Sequence, residues 1–345
     1  MPDVRLSCVI GPYDRIVPLM TGEVKPEGIT LEFANAPSNP NIMFYDQMQF
    51  GRYDISEMSW SSFLRGRQEG WGYRMLPVFQ NRLIAYPMMT IRLASGIRPG
   101  HPEDLKGKRI ALGYYQQTAG LWSRGFLLHE FGVAPEDIEW YEAPGRYIEH
   151  GGEPAFTPPP GMKCQTAPKD FMSMLREGSL DAIFAFRATG DPAFPTLFPD
   201  PIAEMTRCYQ KLGFGVLPAH HTTIVRESVL EQYPWVATSL VTAFNQAKQL
   251  AMQRLRERPP SLIPFVELHM RQMESAFGSD PFVYGIRPNA KLIDLAQTFS
   301  VEQGLTRRKQ SWDELMPEQV LISEDWKLEE EEAIRGQDRE LVGAR

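Results

Sequence analysis

The sequence predicts an α/β fold in two sheet-centred parts, and three observations carry that expectation. Strand-like and helix-like segments alternate through the first half of the chain, as βαβ units do when they build a mainly parallel sheet covered by helices. The alternation comes in two series, separated by an extended run without turn residues, Met88–Ala94. The length, 345 residues, also exceeds the roughly 250–300 over which one hydrophobic core keeps growing.

In the first series Arg5–Gly11 reads as a strand and Tyr13–Thr21 as a short helix or turn ending near Gly22. A strand at Ile29–Ala34, a helix at Ile42–Phe50 closed by Gly51, and a strand at Asp54–Ser59 follow. In the second series a turn at Lys106-Gly107 leads into a strand, Arg109–Gly113. The helix Thr118–Phe131 comes next, with Thr118 as its N-cap and Gly132 just past its end. A strand at Ile138–Glu142, a helix at Lys169–Glu177 ended by Gly178, and an apolar strand at Leu180–Phe186 complete it. Within this series Pro144–Asp170 is rich in Pro and Gly and far longer than the roughly 4–6 residues of an ordinary connection. It reads as a surface insertion, or else as a lid or oligomer contact that uses Arg146, Tyr147 and His150. Beyond Pro201 the pattern is mostly helical. Pro234 introduces a long amphipathic helix, Trp235–Arg256, that stops before Pro259-Pro260. The charged tail from Ser323 reads as a solvated helix or a frayed end.

Composition narrows the function classes. A net charge of −7 argues against nucleic acid or an anionic membrane as the main partner. It leaves a small anionic ligand open, because a pocket's own charge can oppose the total. The three cysteines, Cys8, Cys164 and Cys208, form no CxxC or metal pattern and fit a reducing compartment. No stretch has the ~20 apolar residues of a membrane span, and the N-terminal MPDVRLSCVIG alternates like a strand, not a signal segment. A cytoplasmic location is expected.

Several phrases point to one fold family. DLKGKRIALG followed by a helix, and then REGSLDAIFAF, resembles the second lobe of type 2 periplasmic-binding-protein-like chains. That resemblance implies two α/β lobes joined by two crossovers, with ligand bound in the cleft between them. Lobe one would be discontinuous, 1–90 plus a largely helical 192–345, and lobe two would be 91–191 with its insertion at 144–170. Three further places are more particular: Tyr13-Asp14-Arg15 followed by Gly22 and Glu27-Gly28-Ile29; Tyr53–Ser59; and the pair His220-His221. Through these the chain resembles the 4,5-dihydroxyphthalate decarboxylase family. The resemblance implies a carboxy-lyase acting on a hydroxylated aromatic dicarboxylate, and brings no residue roles with it.

Site residues follow from topology, since ligands in such sheets meet the carboxyl ends of strands and the helix N-termini behind them. The first strand delivers Tyr13, Asp14 and Arg15, and the third delivers Glu57, Ser59, Trp60, Ser61 and Ser62. In lobe two Tyr114, Gln116, Gln117 and Thr118 stand at a helix start, where free N–H groups favour an anion. Arg187 ends an apolar strand near the hinge, and Arg82 follows another apolar run. Each has a plainer reading: Asp14 and Glu57 as turn or cap residues, Trp60 as core or as a stacking wall in a loop, and the arginines as surface ion pairs.

Direct loss of CO₂ from an arene leaves an in-plane aryl carbanion, so an easier route protonates the ring carbon first, with electrons pushed from a para hydroxyl. That chemistry needs proton transfer near neutral pH, which suits histidine, and a planar cation for the second carboxylate, which suits arginine. It needs no organic cofactor, and none is expected; the adjacent histidines lack the spacing that puts two metal ligands on one face, so no metal site is assigned, while a metal held by carboxylates stays open. His220 and His221 are adjacent, and in an extended segment they point to opposite faces, so one is expected to reach the cleft while the other packs. Which one remains open at this stage. Catalytic candidates are therefore His220, His221, Asp14 and Glu57. Candidates for binding are Tyr13, Arg15, Ser59, Trp60, Arg82, Tyr114, Gln116, Gln117, Thr118 and Arg187. A solute-binding protein for a small anionic aromatic acid would use the same arginines without proton transfer. In its usual setting it would also need export, which favours the enzyme. Self-association fits the Pro-rich insertion.

Overall fold

The computed structural model describes residues 3–143, 159, 161–184, 189–257 and 264–322. Strands and helices follow the chain as β1 (Val4–Val9), α1 (Val17–Met20), β2 (Ile29–Phe33), α2 (Pro40–Phe50), β3 (Ile55–Ser59), α3 (Trp60–Gln68) and β4 (Tyr73–Arg82). The second series is β5 (Thr90–Ile91), β6 (Arg109–Leu112), α4 (Thr118–Phe131), β7 (Glu139–Glu142), β8 (Lys163–Thr166), α5 (Phe171–Glu177) and β9 (Ala182–Ile183). After α6 (Pro201–Leu212) the chain returns as β10 (Ala219–Arg226). It then continues through α7 (Glu227–Gln232), α8 (Val236–Glu257), α9 (Val266–Phe277), α10 (Ala290–Glu302), α11 (Trp312–Leu315) and α12 (Glu318–Leu321).

Two sheets result, in the orders β2-β1-β3-β10-β4 and β5-β9-β6-β7-β8. β1 runs parallel to β2 and β3, whereas β10 enters antiparallel between β3 and β4. In the second sheet only β5 is antiparallel. This is the predicted α/β class. Residues 89–93 run beside residues 193–197, with hydrogen bonds from Ile91 to Pro195 and from Leu197 to Met89. The chain therefore leaves and re-enters the first sheet side by side.

Local chemistry sets the boundaries. The Asn39 side chain accepts the Asn41 N–H, Pro40 occupies the first turn of α2, and Gly51 at φ 56° closes it. Three expectations and one omission need correction. The Trp60–Ser62 stretch is not a loop but the buried first turn of α3. The proposed insertion 144–170 contains β8 at its far end, while Arg146, Tyr147 and His150 lie outside the described residues. β4 was not anticipated because its Pro77 cannot donate to a ladder; it is tolerated here because β4 is an edge strand. Thr118 also sits one residue inside α4, whose N-cap is Gln117.

The main core joins both sheets. Trp60 of α3, Phe79 of β4 and Trp122 of α4 are fully buried in one aromatic cluster. α8 packs on α1 and β4, and α10 on α4. No helix among the described residues is long and apolar enough to cross a membrane.

Candidate functional site

The site forms where β1 and β3 end and β10 passes between β3 and β4. The pairing register sets His221 opposite Ser59 and Thr223 opposite Glu57, so His221, Thr223 and Glu57 share one face of the sheet. Glu57 is fully buried, and its carboxylate is satisfied on both oxygens. Oε1 accepts the Tyr13 hydroxyl at 2.6 Å and His221 Nδ1 at 2.6 Å, and Oε2 accepts the Gly11 N–H at 2.9 Å. Gly11 is required for that approach: a Cβ there would stand 2.9 Å from the Tyr13 ring and 3.3 Å from Glu57 Oε2.

These contacts fix protonation. Burial alone would raise the Glu57 carboxyl, but the His221 imidazole, the Tyr13 hydroxyl and the Gly11 N–H outweigh it and hold it below its ordinary value. An ionised carboxylate only accepts, so His221 carries its proton on Nδ1 and turns Nε2 away from Glu57. No residue among those described bonds Nε2. Phe44 packs edge-on against the imidazole at 4.9 Å and fixes its tilt. Burial, with Glu57 beside it, pushes the Tyr13 phenol upward, so Tyr13 remains a hydrogen-bond donor.

His220 has the opposite surroundings. It is buried, its Nε2 donates to the Leu83 carbonyl at 2.9 Å, and burial lowers its pKa to about 3. A neutral ring in the core does not meet a substrate.

Arginine placement also separates the candidates. The Arg15 guanidinium lies over the Tyr13 ring at 4.4 Å and the Phe282 ring at 4.9 Å. It donates to Asp14 at 3.1 Å and to the Gln80 carbonyl, and its buried Nε has no partner. Asp14 is exposed and serves as that partner at the solvent edge. Arg82, expected to bind substrate, gives its terminal nitrogens to protein groups, the Leu217 carbonyl at 2.5 Å, the Val283 carbonyl at 2.8 Å and Asn289 Oδ1 at 2.7 Å, and keeps its Nε without a partner among the described residues.

The remaining candidates form the contact between the two sheets. Thr118 Oγ1 lies 2.9 Å from Ser59 Oγ and accepts the Ser61 N–H at 3.1 Å, and Ser61 Oγ donates to the Gln116 carbonyl. Trp60 is core, packed on Phe79 and Trp122. Tyr114 and Gln117 are half-buried beside this contact, and Arg187 lies outside the described residues.

Sequence reasoning missed a second layer. Lys248 of α8 pairs with Asp280 at 2.5 Å, donates to the Phe282 carbonyl at 3.1 Å and lies 4.6 Å from the centre of the Tyr284 ring. One signal was available: Lys248 falls on the apolar stripe of its helix, four residues after Phe244 and one after Ala247. Tyr284 sits in irregular chain and gave none. Among the described residues no three His, Cys, Asp or Glu side chains are grouped to hold a metal ion.

No protein-family model matches the chain. The 4,5-dihydroxyphthalate decarboxylase of Comamonas testosteroni is 33% identical over 323 residues, 90% of this chain and 95% of that protein. The enzyme of the same name from Pseudomonas putida is 33% identical over 225 residues, 62% of this chain and 85% of that protein. Among solved structures, the periplasmic aliphatic sulphonate binding protein from Escherichia coli covers 94% of this chain with all of its own, at a TM-score of 0.52 and 12% identity. That likeness shows a periplasmic-binding-protein-like fold.

Proposed function

The chain belongs to the 4,5-dihydroxyphthalate decarboxylase family, and from that premise we propose that it removes one carboxylate from a hydroxylated aromatic dicarboxylate, with 4,5-dihydroxyphthalate the leading candidate. The observation that carries the mechanism is the buried Glu57–His221 hydrogen bond, with Nε2 bonded by none of the described residues and so open to a reacting atom.

His221 acts as the imidazolium, protonated on both nitrogens with Nδ1–H on Glu57, and delivers the Nε2 proton to the ring carbon that bears the departing carboxylate, while the hydroxyl para to it gives its proton to solvent and supplies the electron pair. The product of this step is a dienone whose former ring carbon is tetrahedral. Its C–CO₂ bond then breaks, the pair returns to the ring, and the phenolate takes up a proton. The substrate's own oxygen is the electron source, so no organic cofactor enters. Glu57 holds the imidazole in one tautomer and stabilises its cationic form, and Tyr13 keeps Glu57 in place. Arg15, beside this group, takes the carboxylate that stays. Cys8, Cys164 and Cys208 are free thiols, which fits a cytoplasmic setting.

The direct test incubates the protein with 4,5-dihydroxyphthalate and measures CO₂ and 3,4-dihydroxybenzoate, before and after dialysis against a chelator. Stoichiometric release of both, at the same rate after dialysis, is expected. Tight binding of hydroxyphthalates without turnover would sink the enzyme reading and leave a solute-binding protein.

A further inference from the structure

Resting on the decarboxylase reading, we propose that Tyr284 is a substrate-binding residue: with Arg15 it forms the subsite for the carboxylate that remains on the ring.

The argument begins with polar groups lacking partners. Tyr284 is 5% exposed, and its hydroxyl meets no hydrogen-bond geometry among the described residues; its polar neighbour is the Arg15 guanidinium, close enough to interact with it. Among the described residues, Arg15 Nε, Arg82 Nε and Gln80 Oε1 are also buried without partners in the same neighbourhood. A buried donor or acceptor left unpaired costs about 1–3 kcal/mol, and native interiors keep few of them. Four such groups on neighbouring side chains favour a polar guest.

Charge gives that guest its sign. Arg15, Arg82 and Lys248 converge here, and each feels at least one of the others electrostatically. Against them stand Asp280, already paired with Lys248, Asp14, paired with Arg15 at the solvent edge, and Glu57 on the far side of the Tyr13 ring, already taken up by His221, Tyr13 and Gly11. Arg82 touches only neutral acceptors. Among the described residues on the Arg15 and Tyr284 side of the Tyr13 ring, the one cation without a carboxylate partner is Arg82, in a low-dielectric setting where an anion is worth far more than at the surface. Arg15 Nε and the Tyr284 O–H are both able to donate, and a carboxylate accepts two such bonds side by side.

Position ties the subsite to the reaction. The Tyr13 ring lies under Arg15 while its hydroxyl bonds Glu57, so one aromatic ring separates the anion subsite from the proton-transfer pair. In an aromatic 1,2-dicarboxylate the two carboxylates are adjacent on the ring. An acid anchored at Tyr284 and Arg15 then turns its neighbouring carbon toward His221.

The retained carboxylate survives in the product, which gives the test its form. Calorimetry on the whole protein compares phthalate, 3,4-dihydroxybenzoate and catechol as ligands of wild type and Tyr284→Phe. We expect Tyr284→Phe to weaken both acids about tenfold, as loss of one bond to a charged group does, and to leave catechol unchanged. Because the hydroxyl makes no hydrogen bond of good geometry among the described residues, the urea midpoint should stay close to that of wild type, and that separates a ligand role from a structural one. Unchanged affinity for the acids, or equal losses for acids and catechol, would overturn the proposal, as would failure of wild type to bind either acid. Wild type that binds the acids without turnover overturns the decarboxylase reading alone; wild type that turns over while Tyr284→Phe binds normally overturns this inference alone.

Discussion

His220 and His221 are consecutive on β10, so their side chains leave the sheet on opposite faces, one into the core and one toward Glu57. The consequences are opposite too. The folded protein holds His220 neutral down to a pKa of about 3, whereas in the unfolded chain it takes up a proton below about pH 6.5. Between those values the unfolded state binds more protons, so stability falls as pH drops and the loss levels off near pH 3. From pH 7 to pH 5 this one residue costs about 2 kcal/mol. His220→Gln keeps a donor for the Leu83 carbonyl and removes the titration. Urea unfolding at both pH values should show a smaller acid loss in the variant by that amount, and identical losses would place the titrating group elsewhere. At His221 the effect is kinetic. Glu57→Gln keeps an acceptor but removes the charge that supports the imidazolium, and steady-state kinetics should show kcat about a hundredfold lower, in the range of general acid–base effects, with KM within threefold. A variant at full rate would take the pair out of the mechanism.

Elements with strong periodicity and clear ends were legible in the sequence; elements that break a rule for a reason of context were not. α4 and α8 were placed to within a residue or two because Gly132 and the residues around Pro259 punctuate them. β4 carries a proline that its edge position makes harmless, and β8 is a short strand beside a Pro-rich run. α4 also shows where propensity and packing disagree. Gly125 lies inside the helix, where alanine would ordinarily gain about 1 kcal/mol. A Cβ there would meet Phe299 of α10 at 2.1 Å, however, and that ring is held by Trp122, Phe126 and His129. Overpacking a fixed neighbour costs about 1–3 kcal/mol, so the clash wins. Gly125→Ala is expected to lower stability in chemical denaturation, and a rise in stability would show that Phe299 can move.

At the scale of the molecule the candidate site draws on residues far apart in sequence: Tyr13 and Arg15 after β1, Glu57 in β3, His221 in β10 and Tyr284 before α10. The first four were found by asking which residues stand at strand ends or break a strand's apolar run. Tyr284 and Lys248 owe their place to how the helical C-terminal part folds back, which local patterning does not encode. The contact between the two sheets has the same origin. Ser59 is the N-cap of α3 but makes no capping bond through its side chain. The Ser61 N–H in that first turn is instead taken by Thr118 Oγ1, a hydroxyl from the first turn of α4 on the other sheet. One helix thus supplies the cap of another across the contact, and the same oxygen meets Ser59 Oγ. Thr118→Val preserves the shape and leaves the Ser61 N–H and the Ser59 hydroxyl without this partner in a buried contact, at a cost of about 1–3 kcal/mol. Thr118→Ser returns the hydroxyl and should recover most of that loss. Urea unfolding of the three proteins measures it, and a valine variant as stable as wild type would mean that the two sheets are held together by their shared aromatic core alone.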